Sequence, residues 1–212
     1  MNLTQDAAKE FFTDLYPRMA DAWQRAWQMQ LQQFQHPYLL SSCRAHILQN
    51  LAFGFAQETL CSEADRITKF EVQNQQLIRF GDIVIVGFKK LNDEGFSARS
   101  YPTTRMRQYY RQEELPDIGS APRLVCGLKL TADWTEVVGV YLMHPKNHRE
   151  HNWVLNLSTG CSDIDLEQTK IEFQDNEQFF TAPPARKQGA QRVNDKAGNG
   201  RARDSGPRPN AG

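Results

Sequence analysis

Residues 67–90, ITKFEVQNQQLIRFGDIVIVGFKK, decide the class of fold. In ITKFEVQ (67–73) apolar and polar side chains alternate, the period of two that a strand with one buried face requires. QLIRFG (76–81) and DIVIVGFKK (82–90) continue the series, so the stretch reads as two or three strands. DIVIVGF is apolar on both faces, which predicts a central position in a sheet.

Towards the N-terminus the period changes to that of helices. Thr4 is set to cap a first helix, with Asp6 near its positive end. The bond between Tyr16 and Pro17 disfavours helical geometry at Tyr16 and allows a second helix to start at Pro17. There Ala20, Trp23, Trp27, Leu31 and Phe34 recur at steps of three and four, an apolar stripe suited to a core. His36-Pro37 breaks it. Ser41 or Ser42 is expected to cap a third helix reaching Leu60, with Ile47, Leu48, Leu51, Phe55 and Leu60 buried.

Towards the C-terminus, Asn92 to Gly95 reads as a turn, and Thr103-Thr104 as the start of a short helix, 104–114, that Leu115-Pro116 ends. RLVCGLKL (123–130) and EVVGVYLM (136–143) form a hairpin around Thr131–Thr135. NWVLNL (152–157) adds a strand, and TKIEFQ (169–174) reads as one more. Helices followed by a mostly antiparallel sheet define an α+β fold. One domain spans 1–180, helical over 4–60 and sheet-rich over 67–173. Residues 181–212 have almost no apolar side chains and read as a disordered basic tail.

The chain of 212 residues is formally neutral, but not evenly so. Residues 181–212 hold seven Lys or Arg and two Asp, a net +5, which leaves −5 on residues 1–180. An acidic body does not announce nucleic-acid binding through bulk charge. Cys43, Cys61, Cys126 and Cys161 lie far apart with no C-x-x-C pair, so neither a disulfide framework nor a zinc ribbon is indicated. The polar start MNLTQDAAKEFF is unlike a signal peptide, and no apolar run approaches the ~20 residues a membrane span needs. A cytoplasmic location without a membrane partner is expected, and no cofactor.

The densest chemistry lies in RSYPTTRMRQYYRQ (99–112). Arg107 and Arg111 share one helix face, with Arg105, Tyr101 and Tyr109 close in sequence. Guanidinium groups clamp phosphate and tyrosine rings stack on bases, so this is a candidate nucleic-acid or nucleotide site. A solvated helix whose arginines pair with Glu113 and Glu114 is the alternative. Arg79 and Lys89 lie at the ends of adjacent predicted strands, and alternation sends Lys89 and Lys90 to opposite faces. Arg79 and Lys89 therefore complete the candidate set, with stabilisation of negative charge as their role.

His144, His148 and His151 have nitrogens suited to a metal. Pro145 breaks any helix through them, and no H-E-x-x-H accompanies them, so a polar hairpin loop is the expectation and no metal is assigned. A metal-dependent nuclease would need Glu58, Asp65 and Asp82 to meet Lys89, yet the strand reads V-G-F-K rather than carrying an acid before the lysine. No phosphate-binding loop, G-x-S-x-G elbow or Cys–His pair is present. No residue is assigned a catalytic role.

Several short strings occur together: Arg44-Ala-His-Ile47, Arg79-Phe80, Phe88-Lys89-Lys90-Leu91, Ser100-Tyr101-Pro102-Thr103, and Gln112 followed by Leu115-Pro116. Over about residues 40–160 the chain resembles a group of small prophage and defence-island proteins. Their genes neighbour those of helix-turn-helix regulators, often fused to an ImmA/IrrE-like metallopeptidase domain. The resemblance implies a toxin-like effector of a two-gene toxin–antitoxin or phage-defence module, with the regulator or antitoxin as protein partner. Combined with the Arg/Tyr segment, it leads to an effector that binds or acts on nucleic acid or nucleotides. A non-catalytic module partnering a transcriptional regulator is the second reading, and a metal-dependent hydrolase the third.

Overall fold

The computed structural model describes residues 3–61, 66–72, 75–93, 95–98, 103–160 and 162–164. Three helices come first: α1 (Gln5–Phe12), α2 (Tyr16–Gln33) and α3 (Ser41–Leu60). The strands are β1 (Ile67–Val72), β2 (Gln75–Phe80), β3 (Val84–Lys90), β4 (Arg123–Leu130), β5 (Val137–Pro145), β6 (His151–Asn156) and the short β7 (Ser162–Asp163). A fourth helix, α4 (Thr104–Tyr110), lies between β3 and β4. The class is α+β. The described elements all fall in one compact unit, Met1–Phe173. TKIEFQ and the basic tail lie outside the described residues.

The strands pair in sequence order from β1 to β7. Every pairing is antiparallel except β3 with β4. A parallel neighbour demands a crossover, and residues 91–122, with α4, supply it. Alternation then divides the core in two. Val84, Val86 and Phe88 of β3 point to the face covered by α1–α3, together with Leu124, Cys126 and Leu128 of β4. Ile85 and Val125 point to the other face, where Tyr109, Tyr110, Leu115 and Ile118 of the crossover cover them. With both faces covered, DIVIVGF reads as a continuous apolar run for that reason.

Thr4 caps α1, accepting from the Ala7 amide at 3.3 Å. Pro17 sits in the first turn of α2. Trp23 is fully buried against Phe88, with ring centroids 6.0 Å apart, and Phe53 meets Phe88 edge-on at 6.2 Å. The α2 stripe is core over most of its length, but Leu31 is exposed.

Three boundaries differ from expectation. Helix α2 begins at Tyr16 rather than Pro17, because a residue in the first turn has no intrahelical amide bond to lose. The N-cap of α3 is Leu40, with no side-chain cap bond, rather than either serine. The buried face of α3 is also rotated: Leu48 and Leu60 are buried as expected, but Ala52, Phe53 and Ala56 take the core positions while Ile47, Leu51 and Phe55 are half-buried. Alanines on the contact line let α2 and α3 approach closely, so the larger side chains are displaced to the flanks. Helix α4 ends at Tyr110, short of residue 114. Gln112 follows in the left-handed region (φ 59°), and its side chain donates to the Arg123 carbonyl and accepts from the Arg123 amide, both at 2.8 Å. Those two bonds tie the end of α4 to the start of β4.

Candidate functional site

Thr103 caps α4, accepting from the Met106 amide at 3.2 Å. The seven-residue helix then distributes its side chains over three directions. Tyr109 lies against the sheet, 3% exposed, with its hydroxyl donating to the Leu124 carbonyl at 3.0 Å. Gly87 makes this possible, since a Cβ there would stand 3.1 Å from the Tyr109 hydroxyl oxygen. Met106 and Tyr110, four residues apart, line a narrow cleft over Leu77, Gly87 and Lys89. Arg107 and Arg111 face solvent.

This geometry separates the residues nominated from sequence. Arg79 donates to the Ile118 carbonyl at 3.1 Å and lies over the Phe70 ring at 5.2 Å. Arg105 pairs with Asp117 at 3.0 Å. Arg79 of β2 therefore holds the 117–118 turn onto the sheet, and Arg105 holds it to α4. Tyr109 is a core residue with no ring face free for a base, which corrects the stacking role expected of it. Arg111 approaches Glu113 only to 3.7 Å and remains exposed. Tyr101 lies outside the described residues.

Lys89 stands apart from this group. Its side chain enters the cleft between β2, β3 and α4, half-buried, and no carboxylate among the described residues pairs with it. Burial pulls its ammonium below the usual lysine range. The cleft also holds Gln75, whose Oε1 is buried without a hydrogen-bond partner; alternation along β2 turns the side chain of Gln76 to the other face. A cation, one amide acceptor and an aromatic wall are thus available around a free volume of ≈ 10 Å³, enough for about one water molecule. Such a cleft holds a water-sized group beside the Lys89 ammonium and is too small for a whole nucleotide.

The histidines do not converge. His144 turns towards Trp153, with ring centroids 5.5 Å apart. His148 meets Tyr110 at 5.3 Å, and His151 meets Phe96 at 6.5 Å. Among the described residues no group of three His, Cys, Asp or Glu is placed to hold a metal ion. Glu58 pairs with Arg25 at 2.9 Å, and Asp82 sits in the β2–β3 turn at the far end of β3 from Lys89. Asp65 lies outside the described residues. No helix among the described residues is long and apolar enough to cross a membrane.

Burial, and after it the neighbouring His148, hold His151 down to about 4. In the unfolded chain it titrates near 6.5. Between these values the unfolded state takes a proton that the folded state refuses, so stability is full above pH 6.5 and falls as pH drops towards 4. We expect His151→Gln to remove up to ~2–3 kcal/mol of this acid-induced loss. Urea midpoints at neutral pH and near pH 4.5 measure it. Burial lowers His144 and His148 in the same direction, so part of the slope remains in the variant. An unchanged slope would show that His151 takes up its proton in the folded state.

Sequence reasoning missed Gln75 and Arg123. Arg123 is 1% exposed, lies over the Tyr109 ring at 5.7 Å, and leaves Nε and Nη1 without partners. An arginine opening an apolar strand was the available signal. Comparison with protein-family models, curated proteins and solved structures yields no match.

Proposed function

We propose that this chain binds an anionic ligand of the nucleotide or nucleic-acid class on the α4 face of its sheet, as the toxin-like member of a two-gene module. Lys89 carries the reading. An ammonium drawn out of water with no acidic partner among the described residues destabilises the fold, and an arriving phosphate relieves that cost. Arg107 on α4 and Arg111 at its C-cap, both exposed, supply two further cations for a phosphate chain that leaves the cleft. The two-gene setting rests on the resemblance of residues 40–160 to prophage and defence-island proteins.

A second reading, a non-catalytic module that partners the regulator, is favoured by a different observation. Tyr38 is 86% exposed and Leu40 70% exposed on the α2–α3 connection, with Leu31 on the end of α2. Large apolar side chains in water are suited to a protein partner.

Induced expression in a host cell, with and without the adjacent regulator gene, tests both. Arrest that the regulator relieves, and that Arg107→Glu with Arg111→Glu abolishes, is the expected result. Normal growth together with capture of the purified regulator through Tyr38 and Leu40 would replace the first reading by the second.

A further inference from the structure

The alternation that sends Lys89 towards α4 sends the next residue, Lys90, to the opposite face. There its Nζ lies 4.8 Å from the centre of the Trp134 ring. Arg44, from the first turns of α3, brings its guanidinium carbon to the same ring, also at 4.8 Å. The two charges therefore lie within twice that distance of each other. Neither has a carboxylate within ion-pair reach among the described residues, and the buried Nε of Arg44 has no hydrogen-bond partner. The ring face attracts each cation, but the two like charges repel each other, a cost that an anion joining them relieves.

The ring is held there at a cost. Trp134 has a φ of 61°, a conformation bulky side chains rarely adopt. The Thr131–Glu136 turn enforces it: the Trp134 amide donates to the Thr131 carbonyl at 2.9 Å, and Asp133 accepts from the Thr135 hydroxyl at 2.8 Å. Strain of this kind persists where the surrounding structure over-determines it, often at binding sites. The position in the fold points the same way. Lys90 closes β3 and Trp134 follows β4, so the group gathers at the carboxyl ends of the two parallel strands, where a crossover leaves the chain free to form a ligand site. Lys129, at the end of β4 on the other face, lies 5.3 Å from the Phe96 ring. Asp93 is the acid whose charge acts on both Lys90 and Lys129.

We infer that a phosphate group binds between Arg44 and Lys90 beside the Trp134 ring, at the carboxyl ends of β3 and β4. The site lies on the opposite face of the sheet from Lys89 and does not depend on a ligand there. The phosphate belongs either to a small polyphosphate or to a nucleic-acid backbone, which present the same oxygens to a guanidinium and an ammonium.

Trp134 is half-buried at the site and open to direct contact with a ligand, whereas Trp23, Trp27 and Trp153 are buried and add a background emission. The full chain is titrated with inorganic pyrophosphate and, separately, with a short oligothymidylate, at ionic strength held constant with potassium chloride. Saturable change in tryptophan emission with either ligand is expected, and the tighter of the two identifies the source of the phosphate. Arg44→Gln with Lys90→Gln is expected to weaken binding about tenfold or more, the loss of two charge-assisted contacts. Asp93→Asn removes the competing carboxylate and is expected to tighten binding about two- to fivefold, a gain that damaged folding cannot imitate. No saturable change with either ligand, or equal binding by the Arg44→Gln, Lys90→Gln protein, overturns the inference.

Discussion

Lys89→Met is expected to do two things at once: abolish anion binding in the α4 cleft and stabilise the fold. Methionine keeps a similar unbranched length, so an apolar stem still fills its place in the cleft while the ammonium is lost. Removing a half-buried charge that lacks a partner is expected to add ~1–2 kcal/mol, a rise in Tm of roughly 3–8 °C for a domain of this size. The sign of the pH dependence is fixed by the direction of the shift. A lysine held below its usual 10.5 leaves the folded state poorer in protons than the unfolded state as pH rises, so wild-type stability increases from neutral pH towards that value. The variant should show less of that increase; Lys90 and Lys129, also lowered by burial, keep the remainder. Phosphate should raise the Tm of the wild-type chain by mass action more than that of the variant. Scanning calorimetry at two pH values, with and without phosphate, gives every quantity. A variant that melts below the wild type would show that the ammonium already has the solvation it needs, and the cleft would lose its claim to a ligand.

The second large effect is expected at Gly127, on the Lys89 side of the sheet. A Cβ there would stand 2.4, 2.5 and 2.9 Å from three carbons of Leu91, so the whole isobutyl group has to move. Leu91 is fully buried in the cluster under the crossover and has no open direction. Gly127→Ala is therefore expected to cost ~2–3 kcal/mol, the upper range for overpacking. Leu91→Ala alone leaves a cavity and costs ~2–4 kcal/mol. Combined, the two should cost clearly less than their sum, because the added methyl enters the space the leucine vacates. Strict additivity in urea unfolding would mean that the two residues do not share that space.

What the sequence discloses and what it withholds can be traced to particular residues. Alternation in residues 67–90 reveals β1, β2 and β3, and the two-sided apolar run in DIVIVGF predicts a central strand, because those signals depend only on local period. The parallel pairing of β3 with β4 has no local signal; it depends on where 91–122 crosses. The candidate site shows the same division. Arg107 on α4 and Arg111 just past its end are exposed; their spacing of four predicts only that they share a side. Tyr109 and Tyr110 follow the same composition rule yet pack into the core, because a seven-residue helix laid on a sheet must bury one side and tyrosine is its largest apolar surface. The meeting of Arg44 with Trp134 joins residues 90 positions apart, and no spacing rule reaches that far.

One end of the sheet carries a consequence for the protein in concentrated solution. Among the described strands, β1 has a partner on one side only, so its outer backbone groups are available to another chain. Its exposed residues include Thr68, Lys69 and Glu71, two of them charged. Charges on a bare edge oppose the stacking of a second strand, the first step of cross-β aggregation, by stranding those groups in a dry contact. The polar positions of ITKFEVQ thus keep the molecules apart as well as setting the period of the strand.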